Sequence, residues 1–230
     1  MKAHYYLLGY LALAACDGQG PRVVVSFDQP FPATAPDLAG FLPRHRGRYS
    51  KQLNDSARAL IINDKCLVES HIESALLPGA WLDSVGVPRQ LGSHRGHNGH
   101  SYQVRRLAAD SFRVQVEVYD TLVDLSSQPV PKLRRHRAWY YVSRPATEDS
   151  ATWEVQRIGI IDGQVSIQLL NPDSLRIRAL DPSTVQQRRK AGQLIFTLAP
   201  RSRRAIWQVS SYDGLWIGVN EYIGSVLTDK

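Results

Sequence analysis

Cysteine is nearly absent from this chain of 230 residues, which has only Cys16 and Cys66. A disulfide framework is therefore excluded, since two thiols make at most one bridge. Downstream of the first sixteen residues no apolar run approaches the ~18 residues of a membrane-spanning helix. Glutamate is scarce, six in all, and the sequence holds no G-x-S-x-G elbow, no H-E-x-x-H, no phosphate-binding loop and no dinucleotide glycine pattern. None of the familiar catalytic signatures is there to read. With 43% hydrophobic and 21% charged residues the composition is that of a globular chain, which excludes a disordered tail, collagen and a coiled coil.

What is present begins at the N-terminus, where Lys2 precedes an apolar stretch from Tyr5 to Leu13 and then Leu13-Ala14-Ala15-Cys16. A basic start, a short apolar segment and small residues before a cut form a signal peptide, residues 1–15. The last four residues resemble a bacterial lipobox. That resemblance implies cleavage before Cys16, a diacylglyceryl group on its sulfur and an acyl group on its amine, and several acyl chains anchor stably where one does not. Removing residues 1–15 takes away Lys2, so the mature charge is 27 − 21 = +6. Export leaves Cys66 without a partner, as a small apolar residue inside the run from Ala59 to Val68.

Residues 16–43 carry five prolines from Pro21 to Pro43 and read as a lipidated N-terminus and tether, with one extended piece at Val23 to Phe27. An antiparallel β region is expected over 44–145 and a hairpin with an α/β portion over 146–230, either as one unit or as two. Leu60-Ile61-Ile62 and Cys66-Leu67-Val68 flank Asn63-Asp64-Lys65 as a hairpin, and Phe112 to Val118 alternates as a half-buried strand. Asp162-Gly163, between Trp153–Ile161 and Val165–Leu170, is the strongest hairpin turn. Asp181-Pro182-Ser183 predicts a capped helix over Thr184 to Ala191 ending at Gly192, with a strand at Leu194 to Leu198. Pro200 to Ser211 predicts a basic helix with Ala205, Ile206 and Val209 inward, or an extended segment. The fold class expected is mainly β (α+β), an antiparallel hairpin-rich sheet or barrel with one or two short helices in the C-terminal third.

The leader, Phe41-Leu42-Pro43 before Gly47-Arg48-Tyr49, the Asp55-Ser56 turn, Leu60-Ile61-Ile62, Trp139-Tyr140-Tyr141 and Trp153-Glu154-Val155 together resemble uncharacterised lipoproteins of Gram-negative bacteria. The resemblance implies an envelope location and transfers no activity, cofactor or site. Trp139 to Val155 also echoes Gly47 to Ile62 in pattern, either a duplicated β unit or two hairpins with the same turn chemistry.

Three further patterns bear on function. His94, His97 and His100 stand three apart among glycines and are candidate metal ligands, although Arg95 between them repels a cation. Asp followed by Ser or Thr and an aliphatic occurs at Ser56, Ser84, Thr121, Ser150 and Ser174, resembling a bacterial O-glycosylation acceptor, or marking ordinary turns. Basic clusters lie at Arg44–Arg48, Arg134–Arg137, Arg188–Lys190 and Arg201–Arg204. Export argues against nucleic acid as their partner and points to anionic headgroups or envelope polymers, or to a dispersed solubilising surface. A non-catalytic envelope binding or structural module is expected, with protein partner and ligand open. The alternatives are an envelope hydrolase assembled from residues distant in sequence and a metal-binding lipoprotein.

Overall fold

The computed structural model describes residues 22–51, 58–97, 99–146 and 151–225. They form one extended, mainly antiparallel sheet that does not close on itself. In chain order the strands are β1 (Val23–Phe27), β2 (Asp37–Leu38), β3 (Gly47–Lys51), β4 (Arg58–Ile62), β5 (Cys66–Pro78), β6 (Gly92–Arg95), β7 (Ser101–Ala108), β8 (Ser111–Asp124), β9 (Lys132–His136) and β10 (Trp139–Pro145). They continue as β11 (Trp153–Ile161), β12 (Gln164–Leu170), β13 (Val185–Lys190), β14 (Gln193–Leu198) and β15 (Trp216–Ser225). The helices are α1 (Gly79–Ser84), α2 (Ser174–Arg178) and α3 (Arg203–Ser211).

Alternation along the central strands feeds two cores on opposite faces. Tyr140 and Val142 of β10 point to one, and Tyr141 between them points to the other. The inner core joins Leu133 of β9 to Leu67 of β5 and Val123 of β8, strands far apart in the sheet order, so the sheet must curl to bring them together. The outer core is roofed by β1, β14 and α3, which buries Ile206 and Val209 as the helical spacing predicts. Ser202 caps that helix through the Ala205 amide, 3.1 Å away. A third, smaller core lies under α1, where Leu82 packs on Tyr102, Val104, Phe112 and Val114 of an arm made by β5, β8, β7 and β6.

The hairpins predicted at 59–68 and 153–170 form, with Asp162 and Gly163 both at positive φ, 50° and 76°. Both copies of the Trp139/Gly47 pattern are antiparallel strand pairs. The two regions divided near residue 145 interlock in one sheet, since β15 pairs with β3 and β10 with β11.

Two expectations are corrected. The described part of the tether, residues 22–43, belongs to the body: Phe27, Phe31 and Phe41 are completely or almost completely buried, and burying an aromatic outweighs the turn-forming bias of the prolines around it. The helix expected over Thr184 to Ala191 is a single 3₁₀ turn, Pro182–Thr184, followed by β13. Asp181 does cap that turn, but Ala191 and Gly192, at φ 49° and 76°, make a two-residue hairpin that pairs β13 with β14 along six residues. Tertiary pairing overrides the helical preference of Gln186 to Lys190.

Candidate functional site

The outer face of β10, β11, β12 and β15 carries side chains in registered rows. Tyr141, Arg157, Gln168 and Gly218 form one row, and Trp139, Gly159, Ser166 and Glu221 form the next. A third holds Ile161, Gln164 and Ile223. An open groove of about 670 Å³ lies over the second and third rows. At its Gln168 border a smaller cleft of about 220 Å³ opens between the first row, the β9–β10 turn and the end of α3.

Arg157 is the centre of this cleft and is only 3% exposed. Its guanidinium lies between two indoles, 4.1 Å from the Trp139 ring centre and 4.6 Å from that of Trp216. Nε donates to Gln168 Oε1 at 2.6 Å and Nη1 to the Ser210 carbonyl at 2.6 Å. Trp216 is fixed by its own bond from Nε1 to the Val209 carbonyl, 2.8 Å. Trp139 can lie over β11 because residue 159 is glycine, where a Cβ would come within 2.7 Å of the indole.

All the direct acceptors of Arg157 are neutral, and it has no ion pair among the described residues. Asp213 acts on it only as a more distant charge. Burying a guanidinium without a carboxylate costs roughly several kcal/mol before compensation, and the desolvation lowers its pKa from the ordinary value. Two buried polar groups line this one cleft with poor pairing: His136 Nε2 has no hydrogen-bond partner, and the Tyr141 hydroxyl lies against Arg157 and Ser210 without a well-formed hydrogen bond. Burial pushes the Tyr141 phenol up to about 12, against the opposing pull of Arg157, so it stays neutral. Burial, then the charge of Arg137, lowers the His136 pKa and keeps the imidazole neutral at pH 7. Arg137 at the rim holds a left-handed φ of 57°, a conformation costing a non-glycine residue about 1–2 kcal/mol. A single cation, an unpaired imidazole nitrogen, a poorly paired phenol and a strained turn thus converge on one concavity.

A second buried ionisable set is satisfied internally. Tyr222 donates to Glu69 at 2.8 Å inside the curl, with Arg58 3.6 Å from the same carboxylate, and burial raises the phenol's pKa. Cys66 is half-buried, and burial followed by the Asp124 carboxylate raises its pKa, which keeps it a thiol.

The histidines of the glycine-rich segment are not brought together. His94 faces the Gln90 carbonyl at 3.0 Å, His97 lays its ring against Gly86, and His100 lies edge-on to Tyr102. Among the described residues no three His, Cys, Asp or Glu side chains converge on a metal-sized site. Ser84 ends α1 and Thr121 lies in β8, both exposed, and Ser174 opens α2 after the capping Asp173. Ser56, Ser150 and Cys16 lie outside the described residues.

The basic clusters differ sharply in use. Arg46 bonds the Phe41 carbonyl and Asp64, and Arg48 bonds Glu117. Arg134 ties Asp37 to the Pro30 and Pro32 carbonyls, while His45 shares a 2.7 Å bond with Tyr140. These two clusters are struts that fasten residues 28–46 to the sheet. Arg201 pairs with Asp28, and Arg204 acts on Asp181. Only Arg188–Lys190 stands exposed with no ion pair among the described residues.

The arginine cleft was missed by sequence reasoning. Its one signal is a charged residue inside the apolar run Trp153–Ile161, on a face shared with aromatic neighbours. Among the described residues no helix is long and apolar enough to cross a membrane. Compared with protein-family models, curated proteins and solved structures, the chain matches none.

Proposed function

We propose that this chain is an exported lipoprotein, acylated at Cys16 and held in the cell envelope, whose β body is a non-catalytic module binding an anionic ligand in the Arg157 cleft. The observation that carries the ligand assignment is a buried guanidinium with no carboxylate partner, beside an unpaired imidazole nitrogen and a poorly paired phenol. A carboxylate or phosphate supplies the missing charge, accepts from the Tyr141 hydroxyl and meets the His136 ring nitrogen. Trp139 offers a flat apolar wall for the rest of the ligand, and the groove beyond Gln168 gives it room to extend.

Thermal unfolding with benzoate and with inorganic phosphate tests the cleft. A ligand at one hundred times its Kd stabilises by about 2.7 kcal/mol, and Arg157→Met abolishes that gain while keeping the fold, because replacing an unpaired buried charge by an apolar side chain of like volume is close to neutral. An equal gain in wild type and variant, or none in either, refutes the cleft. The anchor has its own test: growth in labelled palmitate must label the wild type and leave Cys16→Ser unlabelled.

A further inference from the structure

The distance from the anchor to the body is short. Cys16 and Arg22, the first described residue, are 22 − 16 = 6 Cα steps apart, which spans at most about 22 Å in any conformation. A body on so short a leash lies against the headgroups, and the sheet determines which part meets them. Arg22 enters β1 beside the β13–β14 hairpin: the Leu194 amide donates to the Arg22 carbonyl at 3.0 Å, and Leu194 pairs with Arg189 in the next strand. Residues 22–27 and 185–198 carry four cations, Arg22, Arg188, Arg189 and Lys190, and no carboxylate. All four are exposed, and β13 is the edge strand at this end of the sheet, with Gln186 to Lys190 exposed on both its faces.

We infer that this ribbon of β1, β14 and β13 is a docking surface for an anionic bilayer, with Arg22, Arg188, Arg189 and Lys190 facing the headgroups next to the point where the lipidated chain joins the fold. The inference rests on the lipoprotein assignment for its geometry and on the uncompensated charge for its chemistry. The clusters at Arg44–Arg48, Arg134–Arg137 and Arg201–Arg204 are engaged with Asp28, Asp37, Asp64, Glu117 and backbone carbonyls, and the exposed Arg105, Arg106 and Arg113 stand on β7 and β8, at the other end of the strand order from Arg22. A row of exposed arginine and lysine on an edge strand also blocks pairing with another sheet, which leaves the edge to a polar partner.

The test uses residues 17–230, which contain every described element and no acyl chain, on vesicles of phosphatidylglycerol mixed with phosphatidylcholine and on phosphatidylcholine alone. Each basic residue at an anionic surface contributes roughly fivefold in partitioning, so with four of them the anionic vesicles bind roughly six-hundredfold better, and ~1 M salt, with a Debye length of ~3 Å, removes the preference. Arg188→Gln/Arg189→Gln/Lys190→Gln lowers binding about a hundredfold. Lys190→Gln alone, mild enough to leave the hairpin intact, lowers it roughly fivefold. Arg105→Gln/Arg106→Gln/Arg113→Gln, equal in charge but on the arm, leaves it unchanged. Equal binding to both vesicles, or equal loss from the arm variant, overturns the surface. Failed palmitate labelling with the vesicle preference intact removes the anchor and keeps the surface; successful labelling with no preference does the reverse.

Discussion

The curled body and the arm are built from one continuous ladder and differ in what that ladder covers. In the body, successive residues of β10 enter opposite cores, and Tyr140 and Tyr141 are both completely buried. In the arm, β5 and β8 stay paired, yet β5 from Ile72 to Leu76 is exposed on both faces, with Leu76 at 63%. Only the far end regains a core, one-sided and small, beneath α1. Hydrogen-bonded pairing is thus common to both regions, and burial is what separates them. Net stability follows burial more closely than backbone pairing, because the unfolded chain bonds equally well to water.

The largest test of this contrast removes one buried leucine from each region. Leu60→Ala in the inner core costs about 4 kcal/mol and lowers the single global unfolding midpoint. Leu82→Ala under α1 costs about 2.5 kcal/mol and is felt locally: hydrogen exchange quickens in β7 and the distal half of β8 while β10 to β12 keep their protection. A shared global shift for both would erase the distinction.

Acid sharpens the contrast from the body's side. The pKa values of His45 and His136 are lowered below 6.5 by burial, aided by Arg44 and Arg135 for the first and by Arg137 for the second. The unfolded chain then takes up protons first, so the stability these residues confer is complete above pH 6.5 and is lost as pH falls through it. Urea unfolding should show a midpoint that declines below pH 6.5, and His45→Asn/His136→Asn should flatten that slope.

The smallest expected effect lies in the arm, where Arg105 and Arg113 sit directly opposite each other on β7 and β8, both exposed. Like charges in register repel, so Arg113→Glu should stabilise the arm by about 0.5 kcal/mol, read as slower exchange at its distal amides. Faster exchange would show the pair to be held apart by solvent or by another contact.

These regions also differ in how far the sequence exposed them. The Asp162-Gly163 turn and the strands around it were legible, because positive φ restricts residue choice at such turns and the flanking runs are apolar. The alternation from Phe112 to Val118 correctly marked a strand but not where its cover ends, since the position of α1 is a tertiary fact. Residues 22–43 misled because proline spacing is local, whereas the burial of Phe31 against Tyr141, ring centres 4.9 Å apart, joins residues 110 positions apart. β13 misled because Gln-Gln-Arg-Arg-Lys prefers a helix until β14 is beside it. Arg157, on β11, was visible only as an oddity, for the two indoles and the phenol around it come from β10 and β15.

The parallel pairing of β1 with β14 sets an order on assembly. Val23 meets Leu194, which emerges from the ribosome 194 − 23 = 171 positions later, and contacts of such separation form late. The opening strand must wait while the hairpins of the middle of the chain zip up, and it comes to rest only when nearly the whole polypeptide has been delivered. Until Leu194 has been made, Val23 to Phe27 have no parallel neighbour to lie against, and the entrance to the fold stays open.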